Sequence, residues 1–169
     1  MIPHDEIPND CDRVTHSVAA YWLSIHPKPD VLPSRHDFDP LDLPPDIWPN
    51  LMLTNVLREP LDLVYRLVGT EAAAILGLDV TGMKLSERPV RRDREAILDD
   101  YRVAIEDRVP RFRRFNVFDA RRGFKVNMER LHLPMATDGR TVDMVLTSLV
   151  QLEMDRGALD ELNTTRLCV

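Results

Sequence analysis

The stretch from residue 61 to residue 82 most constrains the fold, because a strand there runs directly into short helices. Apolar residues occupy every second position from Leu61 to Leu67, the pattern of a strand with one buried face. Thr70 is placed to cap the helix that follows, since its hydroxyl can accept a hydrogen bond from a free N–H. Gly77 can then end that helix in a left-handed conformation. The stretch therefore predicts a tight reversal of the chain across one end of a sheet.

Four further strands and one longer helix are predicted from similar patterns. The strands are expected at residues 51–57, 111–118, 124–133 and 141–152. Turn residues at 58–60, at 120–123 and at Asp138-Gly139 favour antiparallel hairpins. A helix announced by Ser86 and ended by Pro110 carries an apolar stripe that would pack on the sheet. We therefore expect an α+β domain with a five-stranded antiparallel sheet and helices on one face.

The first 50 residues form a proline-rich N-terminal arm that packs on the domain in this interpretation. Val14, Val18, Trp22 and Ile25 recur at helical spacing, which predicts an amphipathic helix over residues 12–26. Its apolar stripe needs a partner, which is either the domain's own sheet or the same helix of a second copy. We divide the chain into this arm at 1–50, a core at 51–152 and a polar tail at 153–169.

The segment from residue 32 to residue 50 has no long periodic run. Asp37, Asp39 and His36 could suggest a metal or acid–base site. The same aspartates are also typical of turns that fold back on the backbone, with Arg35 near enough to pair with either carboxylate. We favour the second interpretation, a turn-rich connection.

Composition and charge bound the class of protein. The chain has 169 residues, of which 44% are hydrophobic and 30% charged, which is typical of a soluble globular domain. No window is apolar enough to span a membrane, and the first residues lack the pattern of a signal peptide, so we expect a cytoplasmic protein. Cys11 and Cys168 are far apart in the sequence, which disfavours a disulfide framework or a zinc site.

An arginine-rich run over residues 88–122 raises the question of nucleic-acid binding. Phe112, Phe115 and Phe118 alternate with arginines there, as on strand surfaces that stack bases. Acidic residues are interspersed, however, and the formal net charge of the chain is −6. We interpret the run as a solvated helix beside a strand with inward phenylalanines, and we expect neither nucleic acid nor membrane as a partner.

The order of elements and several local motifs resemble the PAS fold, and more closely a PAS-like family of short stand-alone bacterial proteins. The matching segments are Tyr21-Trp22, LPSRHDFDP at 32–40, PPDIWPNLML at 44–53, YRLVGT at 65–70 and GLDVTG at 77–82. The resemblance implies a sensory domain that binds a small ligand between the sheet and the helices. It also implies that the change of state passes to an effector protein in trans, with a homodimer through the N-terminal helix as one arrangement.

A PAS-like fold would place the ligand among residues of the inner sheet face and the long helix. The candidate ligand-binding residues are Tyr65, Leu67, Tyr101, Phe115, Phe124, Met128, Arg130 and Met144, with Val117 and Leu146 as further walls. The same side chains also fill ordinary protein cores, and for any one of them we favour that interpretation. If Arg130 faces inward, its charge must meet an anion, either a protein carboxylate or a carboxylate-bearing metabolite. Arg66 and His132 are the other polar residues of interest.

The resemblance also bears on cofactors and catalysis. Photosensory PAS proteins use a cysteine on a short middle helix and haem-binding relatives a histidine on the long helix, and this chain has neither residue there. We therefore expect neither flavin photochemistry nor haem, and the identity of any cofactor stays unknown. The sequence contains no catalytic motif, so an enzyme is not expected. The alternative to a ligand-binding sensor is a ligand-free PAS-like interaction or dimerisation module.

Overall fold

The computed structural model describes residues 7–89, 94–119 and 124–152, which form three α-helices and five strands. The elements are α1 (Arg13–Ser24), β1 (Leu51–Arg58), β2 (Leu61–Val68), α2 (Thr70–Leu76), α3 (Arg94–Glu106), β3 (Arg111–Asp119), β4 (Phe124–Met135) and β5 (Met144–Gln151). Single 3-10 turns occur at Pro40–Asp42, Trp48–Asn50 and Leu85–Glu87. The predicted tail at 153–169 lies outside the described residues.

The five strands form one antiparallel sheet in the order β2-β1-β5-β4-β3. The predicted α+β fold class is confirmed. β2 and β3 are the two edge strands, and β1 and β5, which lie far apart in the sequence, are neighbours at the centre. The predicted hairpins between β1 and β2 and between β4 and β5 are present. The predicted turn of the hairpin between β3 and β4, at residues 120–123, lies outside the described segments.

The helices cover both faces of the sheet. We call the face that packs against α3 and Leu85–Glu87 the inner face, and the face that packs against α1 the outer face. α1 is capped by Asp12, whose carboxylate accepts from the N–H of Val14 at 2.7 Å. Its stripe is buried on the chain's own sheet, with Val18 and Trp22 both 0% exposed and the Trp22 indole N–H donating to the Pro134 carbonyl at 3.0 Å. Of the two predicted partners, the sheet is the one that the stripe meets.

A β-bulge in β2 interrupts the alternation of buried and exposed side chains that the sequence predicts. Leu53 pairs with Leu67 and Thr54 with Tyr65, so Arg66 is an extra residue without a partner in β1. Such an insertion shifts the side-chain period by one position. Leu63 and Tyr65 are buried as predicted, whereas Leu67 follows the bulge on the outer-face side and is 49% exposed.

The start of α2 differs from the prediction as well. Gly69, not Thr70, is the N-cap, and no side chain caps the helix. A Cβ at Gly69 would lie 2.5 Å from the carbonyl oxygen of Trp48 and closer still to that of Pro49. Glycine is therefore required because the backbone of Trp48–Asn50 passes directly over it. The predicted end of the helix is confirmed, with Gly77 left-handed at φ +79°.

The predicted long helix divides into two parts. Leu85–Glu87 forms a 3-10 turn and α3 begins at Arg94, while residues 90–93 lie outside the described segments. Arg88 is extended, with ψ 138°, because the ring of Pro89 disfavours a helical conformation in the residue before it. Ser86, interpreted as the start of the helix, lies instead in the preceding 3-10 turn.

The segment before β1 is the turn-rich connection that was favoured. Asp37 accepts from the N–H of Ser34 at 2.8 Å and from its hydroxyl at 2.7 Å. Arg35 donates to the carbonyl of Phe38 at 2.7 Å instead of forming the predicted ion pair with an aspartate. Phe38 also joins the hydrophobic core, so this part of the arm packs with the sheet.

Candidate functional site

The inner face is defined by alternate residues of each strand, because side chains alternate between the two faces of a sheet. Thr147 of β5 and His132 of β4 face α3, where Thr147 lies within hydrogen-bonding distance of Tyr101. On β1 and β2, Thr54 and Tyr65 belong to the same face. The candidate site is therefore the layer between this face and α3.

Five of the predicted ligand-binding residues share this layer and two do not. Tyr65, Tyr101, Phe115, Met128 and Arg130 meet on the inner face. Met144 is three positions before Thr147 and so lies on the outer face, as does Leu146. Leu67 lies there too, because of the bulge. The prediction that Leu67, Met144 and Leu146 line the same pocket as the inner-face residues is wrong. Phe124 begins β4, and its side chain lies outside the described residues.

The centre of the inner face contains a buried histidine. The ring of His132 packs on that of Tyr101, with centroids 3.9 Å apart. Its Nδ1 lies 2.8 Å from the hydroxyl of Thr147, while Nε2 has no hydrogen-bond partner. Burial, and then the charges of Arg130 and Arg111, hold the pKa of His132 well below its usual value, so the ring is neutral.

A buried carboxylate on α3 collects three guanidinium groups. Asp100 has a side chain only 5% exposed and accepts from Arg113 at 2.8 Å, from Arg111 at 3.3 Å and from Arg130 at 2.5 Å. Burial by itself would raise the pKa of Asp100, but the bond from Arg113 and the charge of Arg130 outweigh it and lower the pKa. The anion that meets Arg130 is therefore a protein carboxylate, and Arg130 also lies over the ring of Phe115, 5.1 Å from its centroid.

A further arginine on this face has no such partner. Arg88 is 8% exposed, and its hydrogen bond to the hydroxyl of Tyr65 is long, at 3.4 Å. Its Nε is buried without a partner, and no ion pair joins it to a carboxylate of the described segments. Burial is the main cause that raises the pKa of Tyr65, so the phenol keeps its proton beside the guanidinium.

The middle of the layer is closely packed. Tyr65, Tyr101, Met128 and His132 are each at most 2% exposed. Side chains this fully buried leave little space between them, so a ligand among the rings would require them to move. A shallower cleft of about 450 Å³ opens beside β3 and β4, lined by Arg114, Phe115, Asn116, Asn127, Met128 and Leu152.

The described segments contain neither a cluster of metal-ligating side chains nor a membrane-spanning helix. They contain no group of three or more histidine, cysteine, aspartate or glutamate side chains that could hold a metal ion. Over the same ranges, no helix is long and apolar enough to cross a bilayer. The chemical groups of the inner face are therefore arginine, histidine, tyrosine and threonine side chains.

Comparison with known proteins identifies the fold family. A family model described as a PAS domain matches residues 12–150, which is most of the chain and includes α1 and all of the sheet except the last residue of β5. The chain belongs to the PAS domain family. No curated protein sequence matches it significantly.

Solved structures similar to this PAS domain share little sequence with it. The PAS domain of BvgS from Bordetella pertussis has 17% identity, with coverage of 72% of this chain and 90% of that one and a TM-score of 0.48. A LOV protein from Rhodobacter sphaeroides has 16% identity, with coverage of 61% of this chain and 59% of that one and a TM-score of 0.42. A sensory box histidine kinase/response regulator from Burkholderia thailandensis has 12% identity, with coverage of 70% and 88% and a TM-score of 0.40.

Three inner-face residues of this PAS domain were not singled out from the sequence. Arg88 was counted only as one member of an arginine run, and no spacing distinguished it. Asp100 was assigned to the polar side of its helix, although it directly precedes Tyr101 of the apolar stripe. Thr147 could have been found from the sequence. It is a polar residue inside a largely apolar strand, and such a residue needs a hydrogen-bond partner when buried.

Proposed function

We propose that this PAS domain is a sensory module that binds a small polar molecule on its inner face and passes the resulting change to a partner protein. The observation that carries the proposal is a set of buried polar nitrogens without hydrogen-bond partners. Nε of Arg88, Nε of Arg130 and Nε2 of His132 all lie in the layer between the sheet and α3 and have no hydrogen-bond partner. Such groups are costly when unpaired, so a polar molecule that bonds to all three would be stabilised at this place.

A second candidate function is a ligand-free interaction module whose core is filled by its own side chains. The close packing of Tyr65, Tyr101, Met128 and His132 favours it, since a ligand among these rings would require them to move. The apolar stripe of α1, the basis for the predicted homodimer, is covered by the sheet. Association with a second copy or with an effector would therefore use other surfaces.

Mass spectrometry of the purified protein under native and then denaturing conditions distinguishes the two. We expect the native mass to exceed that of the chain by one small molecule, which is released on denaturation. An absorption spectrum of the same sample identifies a flavin or another chromophore. A native mass equal to the chain mass, with no stabilisation by any member of a metabolite library in thermal melts, would favour the interaction module.

A further inference from the structure

Arg88 presents a buried positive charge that the described part of the protein does not neutralise. The residue is 8% exposed, and its hydrogen bond to Tyr65 is at the long limit for such bonds. Its backbone is held in place, because Arg88 N–H donates to the Leu85 carbonyl at 3.2 Å and the Arg88 carbonyl accepts from Arg94. The guanidinium is therefore held at the inner face by its own backbone and not by an ion pair.

Two carboxylates of the inner-face region, Asp62 and Asp100, are engaged elsewhere. Asp62 of β2 accepts from the hydroxyl of Ser86 at 2.6 Å and from the N–H groups of Ser86 and Leu63 at 3.2 Å and 2.8 Å. Asp100 accepts from the three arginines of the β3–β4 side. A buried guanidinium without a counterion among the described residues is strongly unfavourable, so a bound anion would stabilise it.

We infer that Arg88 binds the carboxylate of a small organic anion, with the Tyr65 hydroxyl as a second donor. The inference rests on the proposed sensory function and names the ligand class of that site. One guanidinium matches one carboxylate in charge and in its forked geometry. The raised pKa of Tyr65 keeps its phenol protonated and able to donate. Arg130, which was the candidate from the sequence, already has the carboxylate of Asp100.

Acetate, a small carboxylate, is the probe for this site, and acetamide is its uncharged counterpart. The full chain is titrated with acetate or with acetamide, and the arginine Nε–H signals are followed by NMR. Chloride keeps the ionic strength constant. We expect the Arg88 signal to shift saturably with acetate and not with acetamide. A linear or absent shift would overturn the inference, and inorganic phosphate binding at least tenfold tighter than acetate would overturn the carboxylate assignment.

Substitution of Arg88 separates a ligand contact from a structural one. Arg88→Met should weaken acetate binding by at least about 30-fold, and Arg88→Lys, which keeps the charge but loses the fork, should weaken it less. Without acetate, the melting temperature of Arg88→Met should equal or exceed that of the wild type, because an uncompensated buried charge is removed. A fall of several degrees would instead identify Arg88 as a structural residue. Arg66→Met, on the exposed bulge of β2, controls for the loss of one positive charge.

The experiments also separate failure of this inference from failure of the proposed function. If denaturing mass spectrometry releases an uncharged molecule and acetate leaves Arg88 unaffected, the sensory function stands and the carboxylate inference fails. If no molecule is released, no metabolite stabilises the protein and acetate does not bind, both fail.

Discussion

At the scale of single residues, the sequence and the structure disagree most informatively at the start of α2. The sequence interpretation assigned the cap to Thr70, whereas the structure requires a glycine one position earlier. Gly69→Ala should destabilise the protein by about 1–3 kcal/mol, because the added methyl would overlap the Trp48 and Pro49 carbonyl oxygens. Thr70→Ala should change stability by less than about 0.5 kcal/mol. Urea denaturation of both variants tests the pair, and the reverse order would restore Thr70 as the cap.

His132 should make stability depend on pH. Its folded-state pKa is lowered by burial and by neighbouring arginines, so below about pH 6.5 the unfolded chain binds a proton that the folded chain does not. Stability should therefore fall by up to about 1.4 kcal/mol per pH unit as the pH decreases below that value. Urea denaturation at pH 7.5, 6.5 and 5.5 measures the slope.

Two variants test whether the dependence of stability on pH comes from His132. His132→Phe keeps a ring against Tyr101 and should reduce the slope, while His16→Gln, at an exposed position of α1, should leave it unchanged. Equal slopes for all three proteins would contradict the assignment.

At the scale of secondary-structure elements, the attachment of α1 to the sheet depends on an ion pair. Glu129 of β4 is 0% exposed, accepts from the N–H of Asp12 at 2.8 Å and pairs with Arg114 of β3 at 2.8 Å. Arg114 also reaches Asp10, which is mostly exposed. The start of α1 is thus joined to the edge strand through one buried carboxylate.

Removing Arg114 should loosen this junction. Arg114→Ala leaves Glu129 buried with a single hydrogen bond, and we expect a loss of about 1–3 kcal/mol, reduced by the partial exposure of the arginine. Hydrogen exchange of the first turn of α1 should increase in this variant. Asp10→Ala, which removes only the exposed partner, is the matched control and should have a small effect. Equal effects of the two variants would show that Glu129 is not the important partner.

At the scale of the whole molecule, α1 is part of one hydrophobic core and not a separable arm. Val14, Val18 and Trp22 join the same cluster as Leu131 and Leu133 of the outer face. The predicted boundary at residue 50 therefore does not coincide with a boundary of packing. The family match, which begins at residue 12, also includes the helix.

Deletion of residues 1–28 tests this view. We expect the shortened chain to aggregate or lose its tertiary structure, because the outer face would be exposed to water. Circular dichroism and light scattering after gel filtration measure structure and mass, with deletion of residues 1–6 as the control. A full-length dimer that becomes a folded monomer on deletion would instead establish α1 as an interface between copies.

The sequence by itself determined the order of strands and helices, the hairpin between β1 and β2 and the left-handed end of α2. These features depend on local periodicity and on glycine and proline, which act within a few residues. Only the tertiary structure decided that Leu67 and Met144 lie on the outer face and that Asp100 neutralises Arg130. It also decided that Arg88 is buried without an ion pair to any described carboxylate. A bulge, a register or a buried charge depends on residues distant in the chain, so no local pattern carries that information.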